Sequence, residues 1–209
     1  MGWDDVKGSA QSEQSQDKVK YANISEGTSQ GRVLDAEPYS RWVHWVQRAN
    51  NGKGASITCI GSKTCPCCIE NSKVDKKNRP YPPRKMHSVN WLNRATGEVE
   101  ILEKGNGLFI PLQEILQEIG DLRNYDVKIR ASGSGKDTTY VPIPMPQKQL
   151  TEAEKSLKKY DFSEHYKNPT PEQVMILING GTYKDAFGSN DVKEEDSNSD
   201  DEQVDFTKS

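Results

Sequence analysis

The chain has 209 residues and a formal net charge of -3, with 33% hydrophobic and 28% charged side chains. That is too little apolar surface for the whole length to form one packed globule, so some of it is expected to stay disordered. No apolar run approaches the roughly 18 residues of a membrane span, and "MGWDDVKGSAQSEQSQDK" lacks the apolar centre of a secretory signal. A cytoplasmic chain with no membrane partner is therefore expected.

The net charge hides a division. Residues 37–149 carry 17 basic and 11 acidic side chains, whereas residues 185–209 carry nine acids against two lysines. The pattern is a basic body with an acidic tail.

Residues 1–32 are rich in Ser, Gln, Gly and Lys without periodicity. They read as a flexible N-terminal arm, with one short strand or turn near Val19–Ile24. The core is expected over 33–149. "SRWVHWVQR" and "ASITCIG" are β-branched and aromatic runs joined by "ANNGKG", which predicts a hairpin. The polar, proline-rich "NSKVDKKNRPYPPRK" predicts a loop, and "MHSVNWLN" with "RATGEVEILE" predicts a second hairpin turning at Ala95–Gly97. Leu108, Leu112, Ile115, Leu116, Ile119 and Leu122 fall at helical spacing, with Pro111 placed in the first turn. "YDVKIRAS" and "DTTYVPIP" alternate as strands across "GSGK". A helical extension is expected over 150–184: one amphipathic helix in "LTEAEKSLKKYDFSEHY", capped by Thr151 and Glu154, and a second opening at Pro171. Beyond Tyr183 the chain is expected to be disordered, with 185–209 the acidic tail. The fold class is mainly β with helices. Short strands around one helix suggest a small closed or partly open β-barrel of the oligonucleotide/oligosaccharide-binding (OB) kind, with the cysteine-bearing segment between its second and third strands inserted as a subdomain.

All four cysteines lie in "CIGSKTCPCC". In a reducing compartment such clustering favours a metal over disulfides, and adjacent Cys67 and Cys68 cannot bridge without strain. Cys65 and Cys68 form a CxxC knuckle stiffened by Pro66, and Cys59 can fold back as a third ligand. For the fourth ligand His44 is the better candidate, because hairpin pairing brings its strand beside Cys59. Cys67 and His87 are the alternatives. Such a Cys3His set points to a structural Zn2+. No HExxH or His-x-Glu stretch supplies a base beside an activated water, so no catalysis is expected.

Aromatic and basic residues interleave around this segment: Tyr39, Arg41, Trp42, Trp45 and Arg48 before it, and Lys77, Arg79, Tyr81, Arg84 and Lys85 after it. Lys128, Arg130, Lys136 and Tyr140 follow on later strands. Single-stranded nucleic acid calls for this mixture, with cations for phosphates and rings on which unpaired bases stack. Packing competes for some of these positions. Trp91 is expected in the core, Tyr125 in a packing role, and one of Trp42 and Trp45 buried, since the two lie on opposite faces of a strand.

His44, Cys59, Cys65 and Cys68, one upstream histidine and three cysteines ending in CPxC, resemble the zinc site of phage single-stranded DNA-binding proteins of the helix-destabilising class. "PPRKMHSVNWLNRATGEVEILEKGNGLFIPLQEI" and "YDVKIRASGSGKDTTYVPIPM" are similar to that family's strand–turn–strand–helix and strand–glycine–strand portions, so the resemblance spans roughly residues 35–148. The Cys59–Cys65 separation is short for the family, and Cys67 is additional. The resemblance implies a zinc-containing OB barrel that coats single-stranded DNA without sequence preference, and with cooperative self-association, during phage replication, recombination and repair. It also implies that the N-terminal arm meets neighbouring copies. The tail "EEDSNSDDEQVDF" resembles acidic tips that recruit replication and recombination proteins, with Asp200, Asp201, Glu202, Asp205 and Phe206 as the contact residues. The alternative from another class is a zinc-ribbon interaction or transcription adaptor whose basic surface is incidental.

Overall fold

The structure, a computed structural model, describes residues 19–24 and 27–188. Seven strands form one sheet: β1 (Gly27–Val33), β2 (Tyr39–Val46), β3 (Ala55–Thr58), β4 (Pro83–Asn93), β5 (Val99–Gly105), β6 (Tyr125–Ser132) and β7 (Thr139–Gln147). Helix α1 (Pro66–Ser72) lies in the β3–β4 connection and α2 (Asn106–Ile119) between β5 and β6. Four short helices follow β7: α3 (Glu152–Lys155), α4 (Phe162–His165), α5 (Pro171–Ile178) and α6 (Tyr183–Phe187). No helix among the described residues is long and apolar enough to cross a membrane.

Every named pairing is antiparallel, in the order β3-β2-β4-β1-β6-β7. The 11-residue β4 is the spine: its first half pairs with β2, its last residues with β1, and β5 runs along its other edge. No ladder joins β5 to β7 among the described strands, so the sheet is open. Helix α2 contacts β7, β5 and β4 across that gap.

The main core lies between this sheet and α2. Val33, Val89, Trp91, Leu102, Val127 and Ile129 from the strands meet Leu108, Phe109 and Leu112 from the helix. Trp91 is buried, as its apolar context predicted, and the β1 backbone rests on its indole: a Cβ on Gly31 would sit 2.2 Å from Trp91 Cε2. Two details of the expected helix are corrected. Leu116 is exposed, and Phe109 fills the core in its stead. The helix starts at Asn106, so Pro111 lies in its second turn, where it removes the N–H that would bond the Gly107 carbonyl.

The ordered chain begins earlier than the expected boundary at Val33. Ile24 is buried, Tyr21 bridges Ile101, and β1 starts at Gly27. Hydrophobic periodicity missed this strand because one of its buried residues is an arginine. Arg32 is 0% exposed. Its Nε donates to Asp126 at 2.7 Å and its Nη1 to the Lys148 carbonyl at 2.5 Å. Arg94 donates to both Asp126 oxygens and to Glu154, so the network ties β1 and the β4–β5 turn to β6 and α3.

The extension departs from a single helix over 150–166. Thr151 and Glu154 form the expected capping box, but α3 ends at Lys155. Tyr160 is instead held extended against β4: its N–H donates to Asn90 Oδ1 at 2.7 Å and its carbonyl accepts from Asn90 Nδ2 at 3.2 Å. Helix α5 opens at Pro171 behind a Thr170–Gln173 capping box. Past Tyr183, where disorder was expected, Thr182 and Asp185 cap α6.

Asp126→Ala would leave two guanidinium groups, one fully buried, without their shared carboxylate. The expected loss is about 3–5 kcal/mol in urea unfolding, and a loss under about 1 kcal/mol would show that Asp126 is dispensable. The Thr151 N–H and the Arg94 guanidinium hold the Glu154 carboxyl down from 4.5 to about 2. A carboxylate with a depressed pKa stabilises the fold above about pH 4.5 and loses that contribution as pH falls toward 2. Stability is therefore expected to drop more steeply over this range in the native chain than in Glu154→Ala, and parallel curves would contradict it.

Candidate metal centre and the sheet face beside it

The cluster is assembled by three local devices. Hairpin pairing sets His44 of β2 opposite Ile57 of β3, and Cys59 follows two residues later, its N–H donating to the Trp42 carbonyl at 2.8 Å. The loop then doubles back at Gly61, whose φ of +105 suits glycine and whose carbonyl accepts the Cys65 N–H at 2.8 Å. Cys65 is the N-cap of α1, with Pro66 in the first turn, so Cys65 and Cys68 stand three residues apart at one helix end.

The ligand atoms of His44, Cys59, Cys65 and Cys68 all lie within 4.8 Å of one another and could hold a metal ion. Cys68 Sγ is 3.4 Å from His44 Nε2 and 3.5 Å from Cys59 Sγ. His44 is 0% exposed, and burial lowers its pKa, favouring the neutral ring. Its Nδ1–H donates to the Tyr81 carbonyl at 2.7 Å, which leaves the Nε2 lone pair directed at the thiols. A second polar group secures that carbonyl. Asn71 of α1 is buried, and it donates to Tyr81 O through Nδ2 at 2.5 Å while accepting the Tyr81 N–H through Oδ1 at 3.0 Å. The arrangement matches the orienting partners that metal-binding imidazoles require. Desolvation pushes the Cys68 thiol up to about 12 and raises that of Cys67 further.

Of the alternative ligands, Cys67 turns into a second hydrophobic core with Val46, Ala55, Ile57, Val174, Leu177 and Tyr183. His87 has both ring nitrogens engaged elsewhere, by Ser40 and Asn106. The second core also shows where the helical extension goes: α5 and α6 pack against α1 and the β2–β3 hairpin, with the Tyr183 hydroxyl donating to the Ser56 carbonyl at 2.6 Å.

The proposed nucleic-acid contacts do not share one surface. Trp42 is 52% exposed and pairs across the strands with Lys85, also exposed. Their face continues through His87 to its β5 partner Lys104, whose Nζ lies 5.6 Å from the Tyr140 ring centroid. Tyr140 itself is half-buried against the main core. On the reverse face Tyr39 packs on Phe162 and Tyr166. Arg41, expected at the nucleic acid, is buried there: it pairs with Glu103 at 2.9 Å and its guanidinium carbon sits 3.9 Å from the Tyr166 ring centroid. Tyr166 donates to Glu103, and burial with that carboxylate drives the phenol pKa upward. Arg84 is exposed on the reverse face opposite Val43. Lys128 and Arg130 of β6 alternate with the core residues Val127 and Ile129 and so point away from α2.

Trp45 is half-buried, its ring over Gly54 and its Nε1 donating to Gln47 at 2.9 Å, so neither strand tryptophan is fully buried. Tyr81 packs beside the cysteines, and Arg48, Lys77 and Arg79 are exposed. The backbone of Lys136 lies in a single turn over Gly135–Asp137. Asp200, Asp201, Glu202, Asp205 and Phe206 lie outside the described residues. Sequence reasoning missed Asn71 and Lys104. An amide three residues after Cys68 and a lysine in register with His87 were the available signals.

Comparison with protein families, curated proteins and solved structures finds no match to this chain.

Asn71→Ala is expected to weaken metal binding about 10–100-fold by freeing the carbonyl that orients His44. Cys67→Ala should leave uptake of one Co2+ per chain, read by thiolate-to-metal absorption, unchanged. Loss of uptake in Cys67→Ala would reassign the ligands.

Proposed function

We propose that this protein binds single-stranded DNA without sequence preference, coating it during replication, recombination and repair of a phage-type genome. The observation that carries this reading is the exposed Trp42 indole directly across the strands from Lys85. It stands on a face that also presents Lys104 and leads straight into the His/Cys cluster. A ring for stacking beside cations for phosphates is what an unpaired strand requires.

In this reading His44, Cys59, Cys65 and Cys68 hold Zn2+. The donor set fits: three thiols and one neutral imidazole with its second nitrogen already bonded make a closed structural site. His44, Cys59, Cys65 and Cys68 would hold the ion, and a shared ligation would join α1 to the β2–β3 hairpin. His44 shares β2 with Trp42, and Cys59 follows β3 with its N–H on the Trp42 carbonyl, so a bound ion would stiffen the binding face without taking part in chemistry. The open seven-stranded sheet with α2 across its gap is read as a partly open OB-type barrel. The acidic residues Asp200, Asp201, Glu202 and Asp205, with Phe206, are read as the contact for replication and recombination proteins. Cooperative contact between copies along the strand completes the proposal.

Fluorescence anisotropy with labelled oligo-dT at several salt concentrations tests it. The native chain should bind with affinity falling as salt rises, because each neutralised phosphate releases counterions. Trp42→Ala should weaken binding about 5–150-fold, the range of one lost stacking contact. Lys85→Ala should weaken it and flatten the salt slope by about 0.7. Salt-independent or absent binding would defeat the proposal.

A further inference from the structure

Beside the Trp42–Lys85 pair, a row of three polar side chains spans β2, β4 and α2, apart from the metal centre. Ser40 pairs across the strands with His87, and their side chains meet at 2.7 Å, Oγ to Nδ1. His87 Nε2 lies 2.9 Å from Asn106 Oδ1, and the ring packs near Phe109 with centroids 5.0 Å apart. Ser40 and Asn106 are exposed and His87 is half-buried.

Asn106 Oδ1 can only accept, so His87 Nε2 carries the hydrogen toward it, and the Ser40 hydroxyl, able to donate or accept, meets Nδ1. That leaves the two Asn106 amide N–H groups with no protein partner among the described residues. The row is fixed before any ligand arrives, since His87 is held at both nitrogens, and pre-organised groups lose little freedom on binding. Its chemistry also differs from that of its neighbours. Lys85 and Lys104 flank it with ammonium groups suited to phosphates, whereas a row of one amide, one imidazole and one hydroxyl presents directional hydrogen-bonding groups suited to a base edge.

We propose that Ser40, His87 and Asn106 contact the edge of an unpaired nucleobase next to the one stacked on Trp42. This rests on the DNA-binding reading above. Asn106 supplies the donors, for base carbonyl oxygens such as those of thymine, and His87 positions it. The site adds a modest base preference to binding that is otherwise indifferent to sequence.

The test compares oligo-dT with a fully abasic strand of the same length, which keeps the phosphates and loses every base edge. Asn106→Ala and Ser40→Ala alter exposed positions and should keep the fold, checked by thermal melting. Asn106→Ala is expected to weaken oligo-dT binding about five- to tenfold, the scale of a lost hydrogen bond, with Ser40→Ala in the same direction. Both should leave abasic-strand binding unchanged within about twofold. Equal losses on both strands would assign the row to the backbone and overturn the inference, as would no loss on either. The parent reading fails separately. If Trp42→Ala and Lys85→Ala weaken oligo-dT binding while Asn106→Ala does not, only the base-edge contact falls. If the native chain shows no salt-dependent binding, both fall.

Discussion

The imidazole of His44 is the constraint from which the rest of the candidate site follows. A fully buried ring must have its nitrogens satisfied, and here each side is claimed by a different part of the chain. Nδ1 is taken by the Tyr81 carbonyl and Nε2 faces Cys68. Because Asn71 grips the same Tyr81 peptide from α1, a single side chain of β2 sets the positions of the helix, the cysteine loop and the proline-rich strand entry. The segment between β3 and β4 contains few apolar residues of its own. Buried polar groups with one solution replace the hydrophobic pattern that would otherwise fix it.

The same strategy recurs where the C-terminal segment meets the sheet. Arg32 and Arg94 share Asp126, and Arg94 continues to Glu154. Arg41 meets Glu103 beneath the Tyr166 ring. Buried ion pairs add little net stability after desolvation, but breaking one is costly, so they select one docking arrangement over others. Arg41 illustrates the cost, because its buried Nε and Nη1 have no hydrogen-bond partner among the described residues and the Tyr166 ring compensates only in part. The extension is thus held by specific polar contacts on one face and by the second hydrophobic core on the other. It closes over the cysteine helix and is no appendage to it.

Much of this was legible in the sequence, and what was missed has a common cause. Strands β2 to β7, most of the α2 span, the capping box at Thr151 and the helix opening at Pro171 announce themselves through periodicity or local turn chemistry. So does the cluster, because hairpin pairing makes His44 and Cys59 neighbours whatever else the chain does. Sequence reasoning failed where a polar residue is used internally. Arg32 hid β1, Asn90 broke the expected helix by capturing Tyr160, and Arg41 sits inside although its surroundings suggested a phosphate contact. Local pattern carries no information on partners 50 to 100 residues away.

These internal roles also change what the basic composition means. Three arginines, Arg32, Arg41 and Arg94, are occupied by carboxylates, consistent with the planar fork that makes arginine the better partner in a desolvated pair. Arg32 and Arg94 share Asp126, Arg94 also meets Glu154, and Arg41 meets Glu103, so the outward cations are fewer than the composition implies. On the Trp42 face those cations are lysines, Lys85 and Lys104, whose compact charge on a flexible stem tolerates varied phosphate positions. On the reverse face lie Arg84, opposite Val43, and Lys128 and Arg130, which alternate with core residues along β6. A strand crossing the Trp42 face would therefore meet few charges and one strong stacking platform. On that face, affinity would rest on the ring and its polar neighbours as much as on Coulomb attraction.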